Sequence, residues 1–176
     1  TGYLTVKGIQ GHVGYPDLAE NPINSLLKML EPFAKIYLDK GTNEFQPSSV
    51  MITTIDVNND ASNVIPGEVK AKFNIRFNTL HSVASLQSMI KNQFDAITKN
   101  YEFDYFCNAE PFLTSDEELK STLQNAITKV VNVNPEKSTT GGTSDARFIT
   151  KLCPVIEFGL VGKTMHKIDE NVEVDD

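Results

Sequence analysis

Alternation of apolar and polar positions is clearest in residues 68–77, which have the sequence EVKAKFNIRF. An apolar residue stands at every second position between charged and amide residues, so a strand here would have one apolar face and one hydrated face. Residues 3–9, 49–57 and 101–108 are rich in β-branched and aromatic residues, which predicts three more strands. The pattern therefore predicts four strands.

Helical spacing of apolar residues, at three- and four-residue steps, occurs in two stretches between these strands. The first begins at Asn21 and Pro22, with asparagine as the N-cap and proline as the first helical residue. Pro32 interrupts that helix and predicts a kink or a break near Glu31, because proline has no amide hydrogen to donate. Ser82 is the expected N-cap of the second helix.

The resulting order, β-α-β-β-α-β, predicts a ferredoxin-like α+β domain with four antiparallel strands and two helices on one face, closing near residue 110. In residues 111–176, Ser115 and Glu118 have the spacing of a capping box at the start of a third helix. The apolar run PVIEFGL, residues 154–160, predicts a short strand. One helix and one or two strands cannot easily form a core of their own, so we interpret this region as a fragment of a larger α/β domain.

Composition narrows the possible partners. The 176 residues have a formal net charge of −7 and a sequence pI of about 5.0. Binding to nucleic acid or to an anionic membrane depends on clustered lysine and arginine, so this balance predicts neither partner. No apolar run reaches the roughly 18 residues that cross a bilayer. Cys107 and Cys153 lack the close pairing of a zinc or redox motif, and we interpret both as buried thiols in a reducing cytoplasm.

Histidine is the residue type most suited to catalysis near neutral pH, and the chain has three. His81 lies in a polar turn before a helix, which predicts a surface residue. His12 lies between glycines in QGHVGYP, so it is either a loop histidine bonded to its own backbone or an imidazole that reaches a ligand. His166 follows a predicted strand in TMHKIDE, and no histidine has the local spacing to other ligands that a zinc site requires.

The segment TTGGTSDARF, residues 139–148, places glycines and small hydroxyl residues before an Asp-x-Arg pair. One interpretation is a tight strand-to-helix turn in which serine or threonine caps the following residues. The other is a loop that presents backbone N–H groups and hydroxyls to a ligand. The segment lacks the Gly-Lys-Ser/Thr ending of a nucleotide-binding loop. The residues by themselves leave both interpretations open and name no reaction.

Five segments taken together, in this order, resemble one known family. They are LTVKGIQGHVGYPDLAENPI, SNVIPGEVKAKFNIRF, PFLT, TTGGTSDARF and TMHKIDENV. In this combination the chain is similar to the bacterial succinyl-diaminopimelate desuccinylases, a family of the zinc aminoacylase/carboxypeptidase superfamily. The resemblance runs essentially from end to end. It implies a ferredoxin-like lid that also forms the dimer, residues 1–110, followed by the C-terminal portion of an α/β catalytic domain, residues 111–176.

The resemblance also implies an activity. Members of that family hydrolyse the amide of N-succinyl-LL-2,6-diaminopimelate to succinate and LL-2,6-diaminopimelate, in lysine and diaminopimelate biosynthesis. Two zinc ions per subunit hold and activate a water, with cobalt as the alternative metal, and a glutamate is the general base. The implied partners are a second copy of the chain, bound through the lid, and a small dicarboxylate amino-acid substrate. The implied location is the bacterial cytoplasm.

Matched position by position, the resemblance assigns roles to seven residues. His12 matches the lid histidine that reaches the partner subunit's active site and steadies the oxyanion of the tetrahedral intermediate. His166 matches the C-terminal zinc ligand of the family. The positions that match substrate contacts are Asn63, Arg76, Gly142, Thr143 and Ser144.

The family's other zinc ligands, its bridging aspartate and its catalytic glutamate lie in an N-terminal half that precedes this stretch. Strand character begins almost at the first residue, and the last residues stop where an acidic N-cap would open a helix, which indicates a piece of a longer chain. We therefore expect the chain alone to be catalytically inert and to bind zinc weakly if at all. Two alternatives stay open: a related deacylase, such as an acetylornithine deacetylase or a dipeptidase, and a non-catalytic dimerisation module.

Overall fold

A computed structural model describes residues 1–140, 144–159 and 162–172. These residues form two compact units. The first unit consists of Thr1–Pro111 and the described residues of Ser138–Gly142, and the second consists of Phe112–Lys137 and the described residues of Thr143–Asp176.

The four predicted strands and two helices follow one another in the first unit in the predicted order, with two further short strands, Gly11–His12 and Val64–Ile65, in the stretches predicted as connections. Its strands are β1 (Gly2–Lys7), β2 (Gly11–His12), β3 (Ser49–Asp56), β4 (Val64–Ile65), β5 (Glu68–Arg76) and β6 (Tyr101–Tyr105). Its helices are α1 (Pro22–Leu30) and α2 (Val83–Asp95), and 3-10 turns cover Pro16–Leu18 and Glu31–Lys35. The second unit contains α3 (Glu117–Val131) and α4 (Ala146–Ile149).

Four strands form one antiparallel sheet in the order β3-β5-β1-β6, and β2 pairs with β4 in a separate two-stranded ribbon. The register places Leu4 opposite Ala71 and Val6 opposite Val69, so these side chains share one face. Lys70 and Lys72 alternate with them and are exposed on the other face. The ferredoxin-like α+β architecture predicted from the sequence pattern is confirmed.

The core of the first unit lies between one face of this sheet and the two helices. Phe73 is completely buried, with its ring centroid 5.0 Å from that of Phe33 and 6.0 Å from that of Phe103. Burial of such apolar side chains is the main favourable term in folding, at about 25 cal/mol per Å². The buried members of this cluster are Leu4, Val6, Leu26, Met29, Leu30, Phe33, Val50, Val69, Ala71, Phe73, Ile90 and Phe94.

The ends of both helices follow the predicted capping. The Asn21 side chain accepts a hydrogen bond from the Ile23 N–H at 3.0 Å, which satisfies one of the free donors at the start of α1. After α1 the chain continues as a 3-10 turn from Glu31, so the predicted break there is confirmed. Ser82 caps α2 through a reciprocal pair of hydrogen bonds with Ser85.

A γ-turn at Ile36 brings the chain back along the start of β3. Ile36 has φ 68° and ψ −52°, and the Tyr37 N–H donates to the Lys35 carbonyl oxygen at 2.8 Å. This conformation is strained for a β-branched residue. The Ile36 carbonyl oxygen accepts from the Val50 N–H at 2.7 Å, so the turn covers the first part of the outer edge of β3.

The second unit differs from the predictions in three respects. The N-cap of α3 is Asp116, whose side chain accepts from the Leu119 N–H at 2.8 Å, so the prediction of Ser115 was wrong by one residue. Residues 154–159 are not a strand, because no described strand of this unit lies beside them to accept their hydrogen bonds. Cys153 is exposed rather than buried, whereas Cys107 in the first unit is half-buried.

Candidate functional site

The β2–β4 ribbon brings two of the predicted site residues together. His12 lies opposite Val64 in this ribbon, and the Val13 N–H donates to the Asn63 carbonyl oxygen at 3.1 Å. His12 and Asn63 are both exposed. The ribbon therefore brings the backbone of Asn63 next to that of Val13, the residue after His12, and leaves both site side chains exposed.

The chain reverses direction immediately after His12. The Tyr15 N–H donates to the His12 carbonyl oxygen at 2.9 Å, which closes a β-turn. Within this turn the Gly14 N–H donates to Nδ1 of His12 at 3.0 Å. The interpretation of His12 as a loop histidine bonded to its own backbone is therefore confirmed, and the bond leaves the other ring nitrogen available to a ligand.

Arg76 is the last residue of β5 and lies opposite Ser49 of β3. It is exposed on the hydrated face of the sheet, as its place in the alternating pattern predicts. In the described part of the chain, its guanidinium forms no ion pair with a carboxylate. The side chain therefore has the surroundings of a group that can bind an anion from solution.

Arg76 and His12 lie at opposite ends of β5. The ribbon precedes Glu68, and a bond of 2.8 Å from the Gly8 N–H to the Gly67 carbonyl oxygen ties the chain at that end. A strand rises about 3.3 Å per residue, so the eight steps from Glu68 to Arg76 span roughly 26 Å. The fold thus brings His12 and Asn63 together and keeps Arg76 apart from them.

The glycine-rich segment leads into a short helix. The Ser144 hydroxyl oxygen accepts from the Ala146 N–H at 3.2 Å, at the start of α4. This geometry agrees with the interpretation of the segment as a turn before a helix. The other two predicted site residues of the segment, Gly142 and Thr143, lie outside the described residues.

His166 is exposed in a turn and has φ 59°. Within residues 1–140, 144–159 and 162–172, no three histidine, cysteine, aspartate or glutamate side chains gather as a metal site would require. A zinc centre takes at least three protein ligands, so the described residues do not by themselves fit the metal pair that the resemblance implies.

His81 is not the surface residue that its polar turn predicts. Its side chain is 19% exposed, and Nε2 lies 3.1 Å from the carboxylate of Asp39. Burial by itself would raise the pKa of Asp39, but hydrogen bonds from the Ser48 hydroxyl, the Gly41 and Ser48 N–H groups and the Asn78 amide outweigh it and lower that pKa to about 2. We call these residues the Asp39 cluster, and it ties together two separate loops, residues 36–48 and 77–82.

Sequence reasoning assigned no role to Gly14, although its N–H contacts the ring of His12. The available signal was the small residue two positions after a histidine in a turn-forming segment, where a side-chain acceptor often meets the backbone N–H. No helix in the described residues has the length and apolar content to cross a bilayer.

Relatives among curated proteins cover nearly all of this chain. It is 49% identical over 177 residues to a succinyl-diaminopimelate desuccinylase of Pelagibacter ubique. The aligned region covers 98% of this chain and 46% of the relative. It is 48% identical over 177 residues to a protein of the same name in Parvibaculum lavamentivorans, with coverages of 98% and 45%. The chain spans about half the length of these relatives. The resemblance read from the motifs is confirmed.

Solved structures give a matching fold at low sequence identity. An aminopeptidase PepT of Bacillus cereus superposes with a TM-score of 0.65 at 17% identity, over 85% of this chain and 40% of that one. A tripeptidase of Staphylococcus aureus gives a TM-score of 0.65 at 15% identity, over 85% and 39%. At these identities the likeness concerns the fold alone.

A family model matches most of the first unit. The model described as the peptidase dimerisation domain matches residues 1–102, which is more than half of the 176 residues. The matched stretch includes β1, β3 and β5, the first two residues of β6, the β2–β4 ribbon and both helices of the first unit. The chain belongs to the peptidase dimerisation domain family.

Proposed function

We propose that this chain is the dimerisation lid and the C-terminal portion of the catalytic domain of an amide hydrolase. The proposed reaction is cleavage of N-succinyl-LL-2,6-diaminopimelate to succinate and LL-2,6-diaminopimelate. Support comes from identities of 49% and 48% to succinyl-diaminopimelate desuccinylases, each over 98% of this chain. The matching family model supports the lid role of residues 1–102.

The same proposal assigns the parent to lysine and diaminopimelate biosynthesis in the bacterial cytoplasm. Its proposed metal is a pair of zinc ions, with cobalt as the alternative, and His166 is the residue of this chain that we assign to the metal. A single exposed imidazole does not make a zinc centre, so the remaining ligands must come from the rest of the parent. The domain division at residue 110 is part of this proposal.

The proposed substrate is an anion with several carboxylates, and the lid offers groups that suit it. Arg76 presents an exposed guanidinium, whose planar fork binds a carboxylate through two parallel hydrogen bonds. Asn63 presents an exposed amide in the same two-stranded ribbon region as His12, since its carbonyl oxygen accepts from the Val13 N–H. We assign Gly142, Thr143 and Ser144 of the glycine-rich segment to the same substrate.

The observation that most constrains this function is the separation of His12 from Arg76 along β5. The roughly 26 Å between the two ends of this strand exceeds the reach of a small dicarboxylate amino acid. One lid therefore cannot place both residues on one substrate molecule. In a symmetric dimer, His12 and Asn63 of one subunit can meet Arg76 of the other, so we propose an active site that is shared between two subunits.

The outer edge of β3 is the surface that we propose for dimerisation. After the part covered by the turn at Ile36, residues 51–56 have no strand partner on their outer side in the described residues. The exposed apolar side chains of Met51 and Ile55 lie on this strand. An unpaired, apolar strand edge favours pairing with a second copy.

The opposite edge of the sheet is less suited to pairing. The exposed residues of β6 include Glu102 and Asp104, which alternate with the aromatic residues of that short strand. Two copies of this edge would bring like charges together, a feature that commonly blocks edge-to-edge association. The comparison of the two edges therefore favours β3.

Subunit complementation in the complete parent enzyme tests the shared site. We expect His12→Ala and Arg76→Ala homodimers each to lose most of their turnover. A mixed dimer then has one site with both native residues, so an equilibrated equal mixture should recover roughly a quarter of the wild-type activity. No recovery would mean that both residues act within one subunit or not at all, and it would contradict the proposal.

Analytical ultracentrifugation tests the β3 edge in the 176-residue chain. The Met51→Lys/Ile55→Lys variant places charges on the proposed edge and should weaken dimerisation at least tenfold, or about 1.4 kcal/mol. Tyr105→Lys on β6 is the matched control and should leave the dimer intact. The edge assignment is wrong if the control dissociates and the β3 variant does not.

Turnover of the 176-residue chain with added zinc tests the expectation that this part alone is inert. We expect no hydrolysis of succinylated diaminopimelate, because a single histidine ligand does not assemble the metal site. Clear turnover would contradict the assignment of the remaining ligands to the rest of the parent. Assay of the complete parent on succinylated and acetylated substrates distinguishes the desuccinylase from a related deacylase.

A further inference from the structure

The bond between Gly14 and His12 determines which ring nitrogen of His12 holds the hydrogen. A backbone N–H can only donate, so Nδ1 of His12, 3.0 Å from the Gly14 nitrogen, must be the acceptor. A neutral imidazole has one N–H group, and a Nδ1 that accepts leaves the hydrogen on Nε2. The neutral ring is therefore an N–H donor at Nε2.

The turn holds the Gly14 N–H in place independently of the ring. The Tyr15 N–H is bonded to the His12 carbonyl oxygen at 2.9 Å, and the Val13 N–H is bonded to the Asn63 carbonyl oxygen at 3.1 Å. The N–H groups of the residues on both sides of Gly14 thus donate to backbone carbonyl oxygens of the ribbon. The Gly14 N–H is the one in this turn that points at the imidazole.

Residue 14 also has little room for a side chain. A Cβ atom there would lie 3.1 Å from Nδ1 and 3.4 Å from Cε1 of His12. The first distance is shorter than an ordinary carbon–nitrogen contact, so any larger residue would push the ring aside by a few tenths of an ångström. Glycine therefore leaves the ring in its present direction, whereas a Cβ at residue 14 would require the ring to move.

We propose that Gly14 is a positioning residue that presents His12 as an Nε2–H donor to an oxygen that gains negative charge during amide cleavage. The catalytic consequence rests on the proposed function, whereas the arrangement of the ring does not. A donor that is already oriented before the reaction needs no reorganisation when the charge develops. The backbone bond to His12 and its role toward a ligand are therefore parts of one arrangement.

Nuclear magnetic resonance of the 176-residue chain tests the arrangement without any assay of activity. At a pH where His12 is neutral, the ring nitrogen shifts should report hydrogen on Nε2, and a scalar coupling should link the Gly14 amide nitrogen to Nδ1. Acidification that forms the imidazolium should abolish the coupling, because Nδ1 then holds a hydrogen. A neutral ring with hydrogen on Nδ1, or a missing coupling, would overturn the proposal.

Two variants distinguish the effect of the Gly14 N–H group on His12 from the effect of the limited space for a side chain at residue 14. Gly14→Ala keeps the N–H and should shift the ring while retaining a weakened coupling, whereas Gly14→Pro removes the donor and should abolish it. Gly67→Ala is the matched control, since a Cβ there would lie 3.6 Å from Gln10, an ordinary contact, and should leave the His12 signals unchanged. Loss of the His12 signature in the control would contradict a specific role of Gly14.

Kinetics of the complete parent enzyme test the catalytic consequence separately. Gly14→Ala should lower kcat by about tenfold with little change in KM, because the lost interaction is made mainly in the transition state. Gly67→Ala should leave both constants unchanged. If the coupling is present but Gly14→Ala keeps full kcat, the positioning role of Gly14 in catalysis fails, while the assignment of the ring hydrogen stands; loss of turnover in His12→Ala tests the role of His12 in the proposed function separately.

Discussion

The two units of this chain have similar helical capping but very different interiors. Of the fifteen buried apolar residues among those described, thirteen belong to the first unit, and Ile127 and Ala146 are the two in the second. In the second unit, Leu152 is 87% exposed and Ile168 is 94% exposed. The first unit therefore has a core that can stabilise it, whereas the second has apolar residues that lack partners in the described chain.

This difference shows where local sequence pattern suffices and where it does not. In the first unit each predicted strand has a neighbour that accepts its hydrogen bonds, and the helices cover one face of the sheet. In the second unit α3 forms, because a helix satisfies its own backbone, but residues 154–159 do not form a strand. A strand pattern becomes a strand only beside another strand.

The largest expected effect is on stability, and it compares a buried side chain of the first unit with an exposed one of the second. Phe73→Ala should lower the free energy of unfolding of the first unit by about 3–5 kcal/mol, because it removes a completely buried ring that packs against Phe33 and Phe103. Leu152→Ala should change it by less than about 0.5 kcal/mol, because that side chain is exposed. Urea unfolding monitored through the backbone amides of β1 and β5 measures both.

A result with equal losses for the two variants would remove the contrast between the units. It would mean that Leu152 contributes to the stability of the first unit through contacts that its exposure does not indicate. A loss confined to Phe73→Ala would locate the stability of the chain in the sheet and its two helices.

The second prediction concerns the Asp39 cluster and its dependence on pH. The pKa of Asp39 is lowered from 3.8 to about 2, so the folded state favours the ionised carboxylate. Its contribution to stability is fully present above about pH 4 and is lost as the pH falls toward 2, with a size of about 2 kcal/mol. Asp39→Asn should therefore cost about this much near neutral pH and little near pH 2.

Unfolding free energies measured between pH 2 and pH 7 check this difference between the variant and the wild type. Asp60→Asn, at an exposed loop carboxylate, is the control and should run parallel to the wild type. If Asp39→Asn also runs parallel, the cluster does not hold the carboxylate in its ionised form. This result would leave the two loops joined by Asp39 without an electrostatic anchor.

The smallest expected effect compares the caps of the two units. Ser82→Ala removes the cap of α2 and should destabilise the first unit by about 1 kcal/mol. Asp116→Ala removes the cap of α3, where the side chain accepts from Leu119, and should leave the first unit within about 0.5 kcal/mol. Hydrogen exchange of the β5 amides distinguishes the two, and equal effects would indicate one cooperative structure.

The candidate site residues were assigned only through resemblance to a family, and their roles stay predictions. The residues alone allowed two interpretations of His12, a loop histidine bonded to its own backbone or an imidazole that reaches a ligand. In the structure the ring accepts a hydrogen bond from the backbone of Gly14, and it is also exposed, as binding a ligand requires. The exposure of Arg76 follows from its place in an alternating strand. The roles of Asn63, Ser144 and His166 stay predictions, because no described residues gather around them as a ligand site would require.

The sequence by itself indicated the four main strand segments, the two helices of the first unit, their caps and the break at Glu31, because each of these patterns lies within a few neighbouring positions of the chain. Only the tertiary structure decided that His81 lies against Asp39 and that His12 and Arg76 lie at opposite ends of β5. Such relations join residues far apart in the chain. They depend on how strands pair and loops close, which local periodicity does not specify.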